Sequence, residues 1–144
     1  MSVPPEERLG FDIAQAHHVL MNAKATALRP TGLTVAQYSA LLALSANPGI
    51  SGAGLARACL VTPQAAAAVL KTLEAKGLVE RFADAWNHNV RPARLTPEGT
   101  AVLDRADHAA SRLERHLLDA FTPHDRDRLR DLLSRCRNVL DSAH

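Results

Sequence analysis

Apolar residues recur at Leu9, Ile13, Ala16, Leu20, Ala23 and Ala27, in alternating steps of four and three that trace one face of an α-helix. This spacing predicts a helix over 9–28, ended by Pro30, Thr31 and Gly32, with a narrow seam suited to packing against another helix. Thr34-Val35-Ala36-Gln37 has the form of a capping box, in which the threonine oxygen and the glutamine side chain satisfy free amide groups at a helix start. That second helix runs to about Asn47, where Pro48-Gly49 stops it, and a short helix follows from Gly52 to Cys59.

Three Thr-Pro pairs, Thr62-Pro63, Thr96-Pro97 and Thr122-Pro123, punctuate the rest of the chain. Threonine suits an N-cap and proline the first helical position, whose amide needs no partner, so each pair predicts a helix start. The first helix, Pro63 to Lys76, places Ala66, Val69, Leu70 and Leu73 on a buried face and ends at Gly77. The second, Pro97 to about Phe121, repeats Leu103, Ala106, Ala110, Leu113, Leu117 and Ala120. The third, Pro123 to about Ser142, points Leu129, Leu132, Leu133, Cys136, Val139 and Leu140 inward. Between Gly77 and Thr96 the helical period disappears. Leu78 to Phe82 and Val90 to Leu95 read as two short strands joined by a polar turn, with Pro92 confining the return strand to an edge.

Composition narrows the class. The chain has 144 residues, 47% hydrophobic and 22% charged, which is enough for a real core and unlike disordered or disulfide-stapled chains. Two distant cysteines, Cys59 and Cys136, read as reduced thiols, with Cys136 in the core. The N-terminus is acidic and proline-rich, unlike a signal peptide, and no charge-free apolar run reaches the roughly 18 residues of a membrane span. A cytoplasmic protein with no membrane partner is expected. The net charge of +2 is unevenly placed: basic against acidic residues number 3 to 3 in 1–47, 6 to 4 in 48–99 and 8 to 8 in 100–144, so the excess lies in the middle.

A short helix, a turn of about three or four residues, a second helix and a β-hairpin make a winged helix-turn-helix. Such a unit lays its second helix in the major groove of DNA, with the hairpin beside the backbone or in the minor groove. The predicted organisation is mainly α: an N-terminal dimerisation helix over 1–32, a DNA-binding lobe over 33–96 and C-terminal dimerisation helices over 97–144. The unpartnered seams, including Leu9, Ile13, Leu117, Phe121, Leu129, Leu132, Leu133, Val139 and Leu140, suit pairing with a second copy.

Gly32-Leu33-Thr34-x-x-Gln37-Tyr38-x-x-Leu41, Leu55-Ala56, Val61-Thr62-Pro63-Gln64, Leu73-Glu74-x-Lys76-Gly77-Leu78-Val79-Glu80-Arg81 and Leu95-Thr96-Pro97-Glu98-Gly99 stand in that order. Taken together they resemble the signatures of the MarR family of bacterial transcriptional regulators. The resemblance covers roughly residues 10 to 140. It implies a homodimer on double-stranded operator DNA, usually a repressor, released by a small and often aromatic effector or by cysteine oxidation, with no catalysis. No cofactor is implied.

Two departures from the family pattern bear on mechanism. The outward positions of the recognition helix are Gln64, Ala65, Ala67, Ala68, Lys71 and Thr72, after Thr62 at the cap and Arg57 on the preceding helix. Alanine cannot hydrogen-bond a base edge, so Gln64 alone offers direct adenine readout, with alanine methyls available to thymine. The alanine run reads either as a DNA helix poor in polar contacts or as a helix that has lost specific binding. At the wing tip, where the family usually carries arginine, stand Asn87, His88 and Asn89, with Trp86 before them and Arg91 and Arg94 on the return strand. His88 is a pH-sensitive contact or a solvated loop histidine; Trp86 stacks on sugar or packs on the strand.

By family analogy an effector pocket draws on His17, His18, Met21 and Tyr38. Cys59 precedes the turn into the recognition helix, where oxidation would disturb DNA contacts, but a buried structural thiol fits better, because no nearby charge other than that of Arg57 would lower its pKa. Adjacent His17 and His18 point apart, and His108 and His116 lie two turns apart, so no metal site is expected. The rival to a regulator is a protein of the same fold that binds a ligand or partner but no longer reads a DNA sequence.

Overall fold

A computed structural model describes residues 1–82 and 92–143. Its order is α1 (Leu9–Leu28), α2 (Val35–Ala46), α3 (Gly52–Cys59), α4 (Pro63–Ala75), β1 (Val79–Arg81), β2 (Ala93–Leu95), α5 (Pro97–Asp119) and α6 (Pro123–Asp141). Single-turn 3-10 segments precede α1 and α2. Two compact units are present, Met1–Ala110 and Ser111–His144, and α5 contributes to both.

Local chemistry sets most of the helix starts. At α2 the capping box is complete: Gln37 N donates to Thr34 Oγ1 at 3.1 Å and Thr34 N to Gln37 Oε1 at 3.0 Å. All three Thr-Pro pairs cap as expected, with Thr62, Thr96 and Thr122 accepting from the amides of Ala65, Gly99 and Asp125 at 3.0 to 3.1 Å. Ser51 caps α3 in the same way, accepting from Gly54 N at 2.9 Å.

Two helix ends close with the same backbone motif on different residues. After α4, Gly77 N donates to the Glu74 carbonyl and Leu78 N to the Leu73 carbonyl, both at 3.0 Å, with Gly77 at φ +74°. After α3, Leu60 N donates to the Arg57 carbonyl and Val61 N to the Ala56 carbonyl. Here a leucine, 91% exposed, takes the left-handed position at φ +58°. A β-carbon there meets the following carbonyl at a cost of roughly 1–2 kcal/mol, held in place by the tight turn between the two helices.

In unit Met1–Ala110 the core gathers Leu28, Leu33, Leu41, Leu44, Leu55, Ala66, Leu70, Leu73, Val79, Val102, Leu103 and Ala106. Helix α4 is amphipathic as predicted, with Ala66, Leu70 and Leu73 buried and Val69 half-buried. The strands are antiparallel, pairing Val79 with Leu95, Glu80 with Arg94 and Arg81 with Ala93. They are shorter than the predicted spans. The return strand begins after Pro92, which lacks a donor and gives only its carbonyl, to Phe82 N at 3.1 Å. Val90 lies outside the described residues.

The hairpin is tied to α5 through Thr96, whose N–H donates to the Leu78 carbonyl at 3.1 Å and whose hydroxyl donates to the Gly77 carbonyl at 2.6 Å. Gly99 lies against the same carbonyl: a β-carbon there would collide with the Leu78 carbonyl oxygen. In unit Ser111–His144, α6 buries no residue. Leu129, Leu132, Leu133, Val139 and Leu140, predicted inward, are exposed, and Cys136, predicted in the core, is half-buried. Periodicity located the apolar stripe correctly, but nothing among the described residues buries it. Helix α5 ends at Asp119, before the predicted Phe121, because Ala120 and Phe121 form the turn that leads to the Thr122 cap.

Two substitutions test these backbone constraints in opposite directions. Gly99→Ala forces α5 and the Leu78 peptide apart and should destabilise by about 1–3 kcal/mol. Leu60→Gly relieves the left-handed leucine and, after the added backbone entropy of glycine, should stabilise by about 0.5–1 kcal/mol. Urea unfolding of both variants measures the two signs.

Candidate nucleic-acid interface

Helices α3 and α4, joined by Leu60, Val61 and Thr62, form the helix-turn-helix. Burial of Leu55 and Ala56 on α3 against Ala66, Leu70 and Leu73 on α4 fixes which side of α4 faces away from the core. On that outer side Gln64, Ala65, Ala67, Ala68, Lys71 and Thr72 are all exposed, as are Arg57 on α3 and Thr62 at the cap. The sequence-predicted reading face is therefore brought onto one free surface. Its chemistry is sparser than the residue types suggest. Thr72 Oγ1 donates to the Ala68 carbonyl at 3.1 Å, so its hydroxyl proton already serves its own helix, and Thr62 Oγ1 accepts from Ala65 N.

The cations of this unit divide into two groups. The side chains of Arg57 and Lys71 are exposed and make no ion pair or hydrogen bond among the described residues. Others are engaged within the fold. Arg94, predicted to contact DNA, donates to Glu80 Oε1 at 2.8 Å across the hairpin and lies 4.9 Å from the Phe82 ring centre. Arg81 lies 3.7 Å from Glu74. Lys76 Nζ donates to the Gly32 carbonyl and to Gln37 Oε1, each at 3.3 Å. The wing residues Trp86, Asn87, His88, Asn89 and Arg91 lie outside the described residues.

The predicted effector residues lie on α1 and α2 in different surroundings. Tyr38 is buried, its hydroxyl donating to Asp107 Oδ1 at 2.8 Å and joining α2 to α5. His17 and His18 are exposed, with a His18 Nε2 to Asn22 Nδ2 distance of 3.2 Å, and Met21 is half-buried. None of the four lines the cavities of about 730 and 430 Å3 found in this unit. Cys59 is half-buried against the core, and burial raises its thiol above the ordinary value. The direction is opposite to that of an oxidation-sensing thiolate. Among the described residues no group of three or more His, Cys, Asp or Glu side chains could hold a metal ion. No single helix among them is long and apolar enough to cross a membrane.

Sequence reasoning missed the internal roles of Lys76 and Arg94, whose partners are distant in sequence or across a hairpin. It also missed Arg105, an exposed α5 cation whose side chain has no ion pair or hydrogen bond among the described residues.

Comparison with known proteins agrees with this geometry. A family model described as MarR family matches residues 31–85. The chain is 36% identical over 122 residues to the HTH-type transcriptional repressor Rv2887 of Mycobacterium tuberculosis, spanning 85% of this chain and 88% of that protein. The crystal structure of that MarR family protein in complex with p-aminosalicylic acid superposes with a TM-score of 0.70 at 34% identity, covering 90% of this chain and 98% of that one. Bordetella bronchiseptica BpsR, whose DNA binding is regulated by 6-hydroxynicotinic acid, has the same fold, with a TM-score of 0.85 over 95% of this chain and 98% of that one at 20% identity. With a winged helix-turn-helix, a free outer face on α4 and a relative this similar over most of both chains, the protein belongs to the MarR family of transcriptional regulators.

Proposed function

We propose that this chain represses transcription in the cytoplasm as a homodimer on double-stranded operator DNA and is released by a small aromatic acid. The observation that carries the reading is the outer face of α4, exposed from Gln64 to Thr72 while Ala66, Leu70 and Leu73 hold the helix from behind. In the major groove Gln64 would read adenine through its amide, Ala65 and Ala68 would meet thymine methyls, and Lys71 with Arg57 would take phosphates. The hairpin segment from Trp86 to Arg94 would follow the backbone. Pairing with a second copy would cover the exposed apolar residues of α1, α5 and α6, among them Leu9, Ile13, Leu117, Leu129 and Leu140. It would also set two recognition helices about one DNA turn apart.

The Rv2887 complex with p-aminosalicylic acid supports an aromatic acid as the chemical class of effector. The raised Cys59 thiol favours release by a ligand over release by oxidation. The regulator acts by binding alone, without catalysis.

Fluorescence anisotropy and footprinting on the DNA upstream of the chain's own gene, across a salt series, test the reading. Paired half-sites are expected; sequence-independent retention that vanishes at moderate salt would favour a protein of this fold that no longer reads DNA. Gln64→Ala should relax preference at one base position by about 1–3 kcal/mol, and Lys71→Ala should weaken all sequences alike. A site profile unchanged by Gln64→Ala would defeat the assignment of direct readout. Separately, in a Cys136→Ser background, Cys59 should alkylate more slowly than free cysteine at pH 7, and the rate should keep climbing with pH beyond the ordinary thiol range, because the raised thiol ionises later.

A further inference from the structure

Among the described residues Leu60 alone, glycines aside, has a positive φ, and its side chain is 91% exposed. For a residue of this bulk the left-handed conformation is an outlier. The strain has no return inside the free chain, because a solvated leucine packs on nothing and glycine would hold the same turn without a β-carbon in the way. Strain kept without a packing gain points to a use outside the fold.

The position of Leu60 narrows that use. It stands two residues before the Thr62 cap of α4, at most about 7 Å from it along the chain, which is about two base-pair steps. Its N–H donates to the Arg57 carbonyl at 3.3 Å, so the turn that fixes Leu60 also fixes Arg57, whose exposed side chain makes no ion pair or hydrogen bond among the described residues. On the other side lies Gln64. Of the exposed side chains from Leu60 to Ala68, only those of Thr62 and Gln64 carry polar atoms, and Thr62 Oγ1 already accepts from Ala65 N. This surface matches an occupant with anionic groups at its edge and apolar groups between them. The major groove has that character where thymine places its C5-methyl group, the one apolar group that a base edge shows there.

We propose that Leu60 is a specificity-determining residue, packing on a thymine methyl beside the base pair met by Gln64 when α4 lies in the major groove. The proposal rests on the DNA-binding reading above and adds to it a base reader that stands outside the recognition helix. The half-site is read at that position by the presence of a methyl group and not by hydrogen bonding. The left-handed turn holds the leucine out to the groove, and the glycine that would relax the turn would have no side chain to reach the methyl.

The test takes the operator fragment defined by footprinting and replaces each thymine of one half-site in turn by deoxyuridine, which keeps every hydrogen-bonding group and removes only the methyl. In fluorescence anisotropy one such exchange should weaken wild type about fourfold through Leu60, the worth of one buried methyl-sized group. Leu60→Gly should be indifferent to that exchange while binding the unmodified operator more weakly than wild type does, and Leu60→Met, which keeps an apolar chain, should retain the discrimination. Thermal melts separate reading from folding: Leu60→Gly should melt no lower than wild type, so its weaker binding is not a loss of structure. Wild type indifferent to deoxyuridine at every position, Leu60→Gly as sensitive as wild type at all of them, or Leu60→Gly weakened equally on operator and unrelated DNA would each overturn the assignment and leave the DNA reading standing. Absence of an operator footprint in wild type would remove that reading itself.

Discussion

What this chain can offer to DNA hangs from Ala66, Leu70 and Leu73, the side chains that anchor α4 in the core. Their burial against α2 and α3 fixes the rotation of the helix about its axis, and rotation decides which residues meet a groove. A helix turned by one residue would swing about 100° and replace Gln64 and Lys71 with core positions. The Thr62 cap sets where the helix begins, and the hydrogen bonds of Gly77 and Leu78 set where it stops. The same Leu78 supplies the carbonyl that receives Thr96 N and leaves room only for glycine at 99. Recognition helix, hairpin and α5 are thus registered through one short stretch of backbone.

Charge is the second constraint. A net charge of +2 is small for a nucleic-acid partner, and the fold keeps part of the middle third's basic excess for its own use. Arg94 closes the hairpin, Arg81 faces Glu74 and Lys76 joins α4 to α2. Among the described residues the exposed side chains of Arg57 and Lys71 make no ion pair or hydrogen bond. Because each phosphate neutralised steepens the salt dependence of binding, a surface with few free cations has a shallow electrostatic contribution and relies on groove contacts and DNA shape.

The helix boundaries were legible because they are decided by residues within one turn of each other. Thr62, Thr96 and Thr122 each meet an amide three residues on, and a pattern of that range is written in the chain. The Tyr38 to Asp107 hydrogen bond spans 69 residues and the Lys76 to Gly32 bond 44, and no local pattern marks either. Leu60 carried no signal because its left-handed turn is imposed by the helices it joins, where glycine would have advertised it. The stripe on α6 was legible as a stripe, since periodicity records which positions share a face but says nothing of what covers them.

These constraints together favour a regulator that is easily displaced. Coupling between an effector site and a DNA site is typically worth 1–3 kcal/mol, which moves an affinity five- to 150-fold. Such a coupling empties an operator only if the starting affinity is not far above what the cell's protein concentration requires. A recognition helix surfaced with alanine, and neighbouring cations paired with acceptors of the fold itself, favour a low starting affinity. A stronger grip on DNA would have required a stronger switch to undo it.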